Sequence, residues 1–372
     1  MTVLVRDILN RLDARYPFAW AVPEDRVGLQ LGHPEAPVRC ILVALEANEE
    51  VVAEAQAQGA QLLLTHHPLI YRPLPELRED QGLGRLVAGL IRAGLAVVAC
   101  HTNLDLAPGG VNDYLAQLLE LEEVKVFSGV GREPCFKLTT FVPLGYEDRV
   151  RQALFDDRIG VIGAYSHCSF GCRGQGTYLP QEGAKPFRGE AMKLSRAEET
   201  RLEVLVPASR LEKALARLKA AHPYEEVAYD VYPLHNSGAK LGFGRLGHWS
   251  RPRSFSEAIR KIKELFAVPT VKVWGRPPAE VARVAVSGGS GGETVTAALA
   301  QGAQIFLTGE VRHHQVNIAQ WRDFAVLEVG HFESEVVFMS EWARQLEELF
   351  QDLPEPVQVR VSQVTGVPVT YL

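Results

Sequence analysis

The sequence predicts an α/β protein that consists of two duplicated αβ halves and an inserted α+β domain of ferredoxin-like type. Short apolar runs alternate with helical patterns early in the chain, which is typical of a parallel sheet covered by helices. A similar pattern returns near the C-terminus, which indicates a duplication. The segment between the two halves has its own order of strands and helices, which indicates an insertion.

The elements of the first half can be assigned in order. They are a helix over residues 5–16, strands over 27–32 and 41–45, a helix over 49–58, a strand over 62–65, a helix over 83–93 and a strand over 96–100. The first helix has apolar residues at helical spacing, and the later strands are short buried runs. Gly59 and Gly94 follow the second and third helices, where glycine is a common C-terminal cap.

An internal repeat supports the duplication. Residues 40–65 align without gaps on residues 283–308, and the two segments share the heptapeptides GAQLLLT and GAQIFLT. A second match places residues 101–105 on residues 331–335, each after an apolar strand. The second match keeps a histidine and a carboxylate at the same spacing, so chance is a poor explanation of both matches together.

The inserted domain is expected over residues 129–247, and residues 1–128 and 248–372 then form the duplicated domain. Its predicted elements are strands over residues 136–142 and 202–206 and helices over residues 147–155 and 210–221. Each strand precedes its helix, so the insert is itself a βα repeat of ferredoxin-like type. Residues 166–189, rich in Gly, Ser and Pro, predict a long loop or hairpin, and residues 357–361 predict a final edge strand.

Size and composition narrow the function classes. A chain of 372 residues is long enough for two or three domains. The net charge of -6 disfavours a nucleic-acid partner held by bulk electrostatics, and a local basic patch stays open. The five cysteines are an odd set, which indicates reduced thiols in a cytoplasmic protein. No run is apolar enough to span a membrane, and the first residues lack signal-peptide features.

The strongest candidate site lies at the end of the predicted strand over residues 62–65. His66 and His67 follow this strand directly, and Pro68 ends it because proline cannot donate the next ladder hydrogen bond. Where the chain turns, both imidazoles can reach one cleft from different angles. This arrangement suits two neighbouring metal ions better than one.

Four pieces of sequence are expected to converge at this cleft. They are His66 with His67, His101 with Asp105, Glu310, and His331 with Glu335. Open α/β sheets place ligands at the carboxyl ends of their strands, and in a duplicated fold both halves bring those ends to one crevice. If His331 and Glu335 begin a helix, their spacing places them on one face. Nitrogen and oxygen donors without thiolate suit Zn, Mn, Fe, Co or Ni rather than Ca.

Roles can be assigned to the remaining polar groups of this cleft. A carboxylate can bridge two cations, and two ions together can hold a hydroxide that attacks carbon or phosphorus. His101 is expected to orient a ligand rather than to bind metal itself. Glu310 or His314 could shuttle protons as catalytic groups.

Four other segments allow two interpretations each. Residues 287–293 (SGGSGGE) form either a phosphate-binding loop or a tight turn. Residues 167–172 contain one histidine and two cysteines, for which structural thiols are favoured over a soft metal site. Residues 222–226 (HPYEE) form either a turn into a strand or a cap over the metal cleft. His313 and His314 are expected to lie on the surface of a helix, and the alternative is that they act as proton donors or ligands.

Several motifs resemble one known family. Residues 27–30 (VGLQ), 65–69 (THHPL), 101–105 (HTNLD), 308–310 (TGE) and 330–335 (GHFESE) are similar to the NIF-three-like family, whose members are often labelled GTP cyclohydrolase 1 type 2. The likeness runs nearly from end to end. The middle of the chain, at residues 165–170 and 222–230, resembles the PII-like or CutA-like domain of the longer bacterial members.

This resemblance implies a ligand set, an assembly and a reaction. The implied dinuclear ligands are His66, His67, Asp105, His331 and Glu335, with Glu335 bridging two divalent ions, zinc first among the candidates. The implied assembly is a ring-shaped homohexamer whose metal sites face an internal cavity. The implied reaction is hydrolytic opening of the imidazole ring of GTP with loss of formate.

A non-enzymatic alternative stays open beside the hydrolase. It is a metal-binding regulator or scaffold, because the middle domain resembles folds used for sensing and trimerisation. Two positions depart from the family pattern. Glu46 stands where Asp is usual and Arg26 where Asn is usual, and neither is expected to touch the ligand set.

Overall fold

The computed structural model describes residues 2–156 and 158–364. The chain forms two compact units, of which unit 1 comprises Met1–Val130 and Leu241–Leu372 and unit 2 comprises Gly131–Lys240. In the described part of the chain, no helix has the length and apolar character needed to cross a membrane.

The first half of unit 1 alternates strands and helices. Its elements are α1 (Val5–Arg15), β1 (Gly28–Leu31), β2 (Cys40–Ala44), α2 (Glu49–Ala57), β3 (Leu62–Thr65), α3 (Gly82–Ala93), β4 (Ala96–Ala99), α4 (Thr102–Leu106) and α5 (Val111–Leu118). Strands β2, β3 and β4 are buried along their whole length, which explains why each is a continuous apolar run. Asn48 caps α2 by accepting a hydrogen bond from the backbone N–H of Val51, and α3 ends at Gly94 in the left-handed conformation.

Unit 2 contains most of the next six elements, and its first and last strands extend into unit 1. These elements are β5 (Glu122–Pro143), α6 (Glu147–Leu154), β6 (Ser169–Tyr178), β7 (Ser195–Pro207), α7 (Leu211–Ala221) and β8 (Tyr229–Ser254). The strands of unit 2 lie in the order β6-β7-β5-β8. Residues 166–189 were expected to form a long loop or hairpin, and part of this region is the strand β6, which pairs antiparallel with β7 as in a hairpin.

The chain then completes unit 1. The remaining elements are α8 (Phe255–Leu265), β9 (Lys272–Gly275), β10 (Glu280–Ser290), α9 (Val295–Ala300), β11 (Ile305–Glu310), α10 (His313–Val316), β12 (Ala325–Glu328), α11 (His331–Val336), α12 (Met339–Phe350) and β13 (Gln358–Val361). Strand β13 pairs parallel with β2 at the edge of the first sheet, where a final edge strand was expected.

The two halves of unit 1 share one strand arrangement. The first half has the order β1-β4-β3-β2-β13 and the second has the order β9-β12-β11-β10-β8. In each half the three inner strands are parallel, and an antiparallel strand, β1 or β9, covers the last of them. The repeated sequence segments therefore occupy equivalent strands, and their carboxyl ends carry the residues described next.

Candidate metal centre

Six side chains that follow strand ends of unit 1 meet in one group. We call this group the histidine–carboxylate cluster, and its members are His66, His67, His101, Asp105, His331 and Glu335. His66 and His67 follow strand β3. His101 follows strand β4, and Asp105 lies in the next helix, α4. His331 and Glu335 lie in α11, which follows strand β12. Because these strand ends meet at one edge of each sheet, residues far apart in the sequence become neighbours.

His66 is fully buried and has its ring orientation fixed by the backbone. Its Nδ1 lies 2.9 Å from the carbonyl oxygen of Cys100, so Nδ1 donates this hydrogen bond and Nε2 faces the cluster. This Nε2 has no hydrogen-bond partner and lies 3.7 Å from both Asp105 Oδ1 and Glu335 Oε1. A buried ring nitrogen that has no hydrogen-bond partner and lies beside two carboxylates is placed as a metal ligand would be.

Glu335 faces three imidazoles with its two carboxylate oxygens. Oε1 points to His66, whereas Oε2 lies 2.9 Å from His67 Nε2 and 3.3 Å from His331 Nε2. Burial raises the pKa of this carboxyl, but the hydrogen bonds from the histidines outweigh it, so the pKa falls well below the usual range. His331 and Glu335 lie on one face of α11, as their spacing predicted.

The pKa values of the two partly exposed histidines, His67 and His331, shift upward. Hydrogen bonds to carboxylates raise the pKa of His331 to about 9, with Glu335 as the main cause. Burial lowers the pKa of His67, but Glu335 and Glu46 outweigh it and raise the value to about 10. These histidines therefore hold protons to balance buried negative charge, and a divalent cation can supply the same balance.

His101 enters the cluster with its other ring nitrogen already held. Its Nδ1 lies 2.8 Å from Asp25 Oδ1, and Asp25 Oδ2 accepts hydrogen bonds from the Thr102 backbone N–H and hydroxyl at 3.0 and 2.5 Å. Burial raises the pKa of Asp25, but these hydrogen bonds outweigh it and lower the pKa. An imidazole held by a carboxylate in this way is the usual form of a metal-binding histidine, and Asp25 is the group that orients the His101 ring.

Glu46 also contacts the cluster, contrary to the expectation that it lies apart. Its Oε2 lies 3.6 Å from His67 Nδ1, and this contact is the largest cause that lowers the pKa of Glu46. The sequence contained a signal for this placement, because Glu46 follows the predicted strand over residues 41–45. Arg26 reaches the cluster only indirectly, since its backbone N–H donates to Asp25 Oδ1 at 2.7 Å.

The glycine-rich segment over residues 287–293 is packed against the cluster. At Gly289, whose φ is +56°, an added Cβ would lie 2.2 Å from Glu335 Oε1 and 3.2 Å from His331 Nε2. The Gly289 N–H donates to Ser334 Oγ at 2.9 Å, and Gly288 and Gly291 donate to other side chains. Because these three amides already have partners, they are not free to bind an anion, which favours the tight-turn interpretation over the phosphate loop.

The two residues expected to move protons differ in position. Glu310 lies beside the cluster, with Oε1 3.1 Å from His331 Nδ1 and with a half-exposed side chain. His314 is exposed on α10, and within residues 2–156 and 158–364 it forms no hydrogen bond or ion pair with the cluster. Its neighbour His313 packs against Trp274 with ring centroids 6.0 Å apart.

The remaining motifs lie in unit 2. His167 packs against Phe155, and the Cys168 thiol donates to the Tyr165 carbonyl oxygen. Neither Cys168 nor Cys172 belongs to a group with metal-binding spacing among the described residues, which favours structural thiols. Residues 222–226 form the turn between α7 and β8.

The donor spacing of the cluster accommodates metal. Ligand atoms of His66, His67 and His101 lie within 4.8 Å of one another, and so do those of His67, His331 and Glu335. Imidazole and carboxylate donors without thiolate fit zinc, manganese, iron, cobalt or nickel. The cluster is therefore a candidate metal site.

Comparisons with known proteins agree with the motif resemblance. A family model described as Duf34/NIF3 (NGG1p interacting factor 3) matches residues 3–368. A Halalkalibacterium halodurans protein named GTP cyclohydrolase 1 type 2 homolog is 37% identical over 356 residues, which cover 96% of this chain and 95% of that protein. A Bacillus subtilis protein of the same name is 36% identical over 367 residues and covers 99% and 98%. The crystal structure of a Bacillus cereus protein related to NIF3 matches at a TM-score of 0.85 and 36% identity, with both chains covered at 100%. The resemblance is confirmed, and the chain belongs to the Duf34/NIF3 family.

Proposed function

We propose that the histidine–carboxylate cluster binds two divalent metal ions, with zinc as the first candidate. His66, Asp105 and Glu335 Oε1 would hold one ion, and His67, His331 and Glu335 Oε2 would hold the other. The observation that carries this proposal is the division of the Glu335 oxygens, one toward His66 and one toward His67 and His331. A carboxylate placed in this way can bridge two cations.

His101 is proposed as an additional donor rather than as an orienting residue. Its ring centroid lies 5.3 Å from that of His66 and 5.7 Å from that of His67. Since Asp25 occupies Nδ1, Nε2 is the nitrogen left to face them. Its donor atom is therefore available to the ion held by His66.

Metal analysis of the purified, zinc-loaded chain tests the number of ions. We expect two zinc ions per chain in the unmodified protein and fewer than one in Glu335→Gln. Glu333→Gln is the matched control, because it changes the same residue type in the same helix, and it should keep two ions. An unmodified protein that retains no metal, or a Glu335→Gln protein that retains two ions, would contradict the proposal.

A metal-dependent hydrolase is the activity that this site supports best. Curated relatives carry the name GTP cyclohydrolase 1 type 2 homolog, and a nucleotide such as GTP is therefore the proposed substrate class. Bound divalent ions would supply Lewis acidity toward a substrate oxygen. Hydrolysis of GTP by ring opening would release formate.

Among the side chains of this site, Glu310 is the proposed proton carrier. Its carboxylate reaches both His331 and solvent, with a side chain that is 54% exposed, so it can pass a proton between them. His314, the other candidate from the sequence, lacks such a contact in the described chain. Glu46 Oε2 lies 3.6 Å from Nδ1 of His67, and this ion-pair contact favours the ring orientation in which Nε2 points toward Glu335.

Formate release from GTP by zinc-loaded protein tests the activity. Glu310→Gln should lower kcat about 10²–10⁴-fold and keep two ions per chain, whereas the exposed control Glu347→Gln should leave both unchanged. No turnover of GTP, other nucleotides or phosphoesters by protein with two ions bound would contradict the hydrolase proposal. The metal-binding regulator or scaffold would then be the better account.

Unit 2 is proposed as a ferredoxin-like module of the PII or CutA type. Its element order is βαββαβ, and its strand order β6-β7-β5-β8 is the one expected for a split βαβ fold. Helices α6 and α7 pack together over a core that contains Leu138, Leu202 and Leu218. A crystal structure with a different strand order in residues 131–240 would contradict this proposal.

A toroidal homohexamer is the assembly that the family resemblance implies, and we retain it as a proposal. Light scattering of the purified protein should give about six times the chain mass of 41.0 kDa. A monomeric or dimeric mass over a range of protein concentrations would contradict it.

A further inference from the structure

Unit 2 contains a cavity that the proposed metal chemistry does not use. Its volume is about 470 Å³, and its walls include the aromatic rings of Phe141, Tyr178, Phe187 and Tyr224. This volume lies in the range of pockets that hold small molecules, which are mostly apolar with a few placed polar groups. The question is then which polar group selects the ligand.

The aromatic side of the cavity is a connected set of rings. Phe187 lies 5.8 Å from Tyr224 and 5.5 Å from Tyr146, measured between ring centroids. The guanidinium carbon of Arg188 lies 5.7 Å from the Phe187 centroid, so this ring already has a cation over one face. Electron-rich ring faces attract cations and give neutral ligands no comparable electrostatic gain.

Glu199 supplies a buried carboxylate in the cavity wall. The residue is 8% exposed, and its Oε1 accepts a hydrogen bond from the Tyr224 hydroxyl at 2.8 Å. Its Oε2 lies toward the neighbouring strand β6, where an added Cβ on Gly176 would be 2.2 Å away. Within residues 2–156 and 158–364, no lysine, arginine or histidine forms an ion pair with this carboxylate.

The Tyr224 hydroxyl is a neutral hydrogen-bond donor to the Glu199 carboxylate. Burial, together with its contact with Glu199, raises the pKa of Tyr224, so the hydroxyl remains protonated and donates to the carboxylate. One neutral hydrogen bond does not replace the solvation that a carboxylate loses on burial. A cation in the cavity would restore that balance.

The other charged residues of the cavity wall are also acidic. Glu225 and Glu226 line it, and Glu225 Oε1 accepts a hydrogen bond from the backbone N–H of Lys185 at 2.7 Å. The described lining contains no lysine or arginine side chain. These three carboxylates, of which Glu225 and Glu226 are exposed, favour cationic over anionic ligands, and the Arg188 guanidinium over Phe187 is the positive charge that they outnumber.

We propose that this cavity of unit 2 binds a small organic ammonium ion, with the aromatic rings against its apolar part and Glu199 as its counter-charge. A neutral apolar ligand would leave the Glu199 carboxylate desolvated without a partner. An anion would meet three negative charges. All residues of this site belong to unit 2, whereas the histidine–carboxylate cluster belongs to unit 1.

Calorimetric titration of the full-length protein with matched ligand pairs tests the proposal. Choline is compared with its neutral isostere 3,3-dimethylbutan-1-ol, and butylammonium is compared with butan-1-ol. At least one ammonium ion should bind at least tenfold more tightly than its neutral isostere. Binding should persist after treatment with a metal chelator.

Variants locate the binding at the cavity. Glu199→Gln should weaken binding of the preferred ammonium ion at least tenfold, and Phe187→Ala should weaken it while it leaves the carboxylate in place. Glu198→Gln is the matched control, since Glu198 is the exposed neighbour on the other face of β7, and it should bind as the unmodified protein does. Circular dichroism confirms that each variant is folded, and if Glu199→Gln does not fold, Phe187→Ala alone decides the location.

Three outcomes would overturn the proposal. In the first, neither ammonium ion binds more tightly than its neutral isostere. In the second, folded Glu199→Gln and Phe187→Ala bind as well as the unmodified protein. In the third, Glu198→Gln weakens binding as much as Glu199→Gln does.

Discussion

His66 and His101 are each held through Nδ1 by a group that their local sequence does not reveal. The His66–His67 doublet after an apolar strand identified the first of them as a candidate ligand. The carbonyl of Cys100 and the carboxylate of Asp25 that hold these rings lie 34 and 76 residues away in the chain. Sequence spacing relates residues within one helix or strand, so partners that meet only through the tertiary fold could not be predicted from it.

Removal of the Asp25 carboxylate tests whether it orients a metal ligand. In Asp25→Ala, His101 loses its Nδ1 acceptor, so the affinity for zinc should fall about 10–100-fold. Competition with a zinc chelator of known affinity measures this change. Glu24→Ala, at the exposed neighbouring position, should bind zinc as the unmodified protein does, and an equal affinity in all three proteins would show that Asp25 has no such role.

A methyl group at Gly289 should damage the cluster by steric conflict. The added Cβ of Gly289→Ala would lie 2.2 Å from Glu335 Oε1, so Glu335 must move and zinc content should fall below two ions per chain. The positive φ alone costs about 1–2 kcal/mol of stability. Gly59→Ala is the control, because its φ is +67° and no atom lies within 4 Å of the added Cβ.

Comparison of Gly289→Ala with Gly59→Ala separates the effect of backbone strain from the effect of steric contact with Glu335. Both should lower the thermal midpoint, whereas only Gly289→Ala should lose zinc. Equal zinc content in the two proteins would show that the glycine-rich segment does not shape the site.

At the scale of elements, the sequence predicted buried strands well and exposed strands poorly. Strand β3 has the predicted bounds, and β2 and β4 differ from theirs by one residue at each shifted end, because buried parallel strands are continuous apolar runs. Only residues 136–142 were assigned to β5, which runs from Glu122 to Pro143. Much of its remainder is exposed, so it lacks the apolar pattern that marks a buried strand.

The turn between α7 and β8 should make the stability of unit 2 depend on pH. His222 accepts a hydrogen bond from the Tyr224 N–H at Nδ1, and its Nε2 lies 3.1 Å from the Phe141 carbonyl oxygen. Burial lowers the pKa of His222 from its ordinary value of 6.5. The unfolded chain therefore binds a proton that the folded chain resists, and stability falls as pH drops through about 6.5.

Pulsed alkylation of buried Cys135 in urea measures this effect, because Cys135 lies in unit 2. The stability advantage of the unmodified protein over His222→Gln should be complete at pH 8 and should shrink as the pH falls below about 6.5. His235→Gln, at an exposed position of β8, should keep the pH dependence of the unmodified protein. A constant difference between His222→Gln and the unmodified protein from pH 8 to pH 5 would contradict the assignment.

At the scale of the whole molecule, the repeat was the most informative feature of the sequence. It related two segments 243 positions apart, and the structure places them on equivalent strands, β2–β3 and β10–β11. The histidines and carboxylates that follow the predicted strand ends were expected to converge, and the structure brings them together. Glu46 shows the limit of this approach, since its contact with His67 depends on the direction of one side chain at such an end.

Metal removal should lower the stability of the duplicated domain. A ligand that binds only the folded state stabilises it in proportion to the logarithm of its concentration over Kd, by about 2.7 kcal/mol at one hundred times Kd. Chelation should therefore lower the thermal midpoint, and added zinc should restore it. Glu335→Gln should start with a lower midpoint and change little with chelator, whereas an unmodified protein that is insensitive to chelator would contradict a folded-state metal site.

Anomalous diffraction at the zinc edge from crystals of the zinc-loaded protein tests the central claim most directly. We predict two peaks per chain, one among His66, Asp105 and Glu335 Oε1 and the other among His67, His331 and Glu335 Oε2. A single peak, or peaks away from these five side chains, would contradict a dinuclear centre at the strand ends.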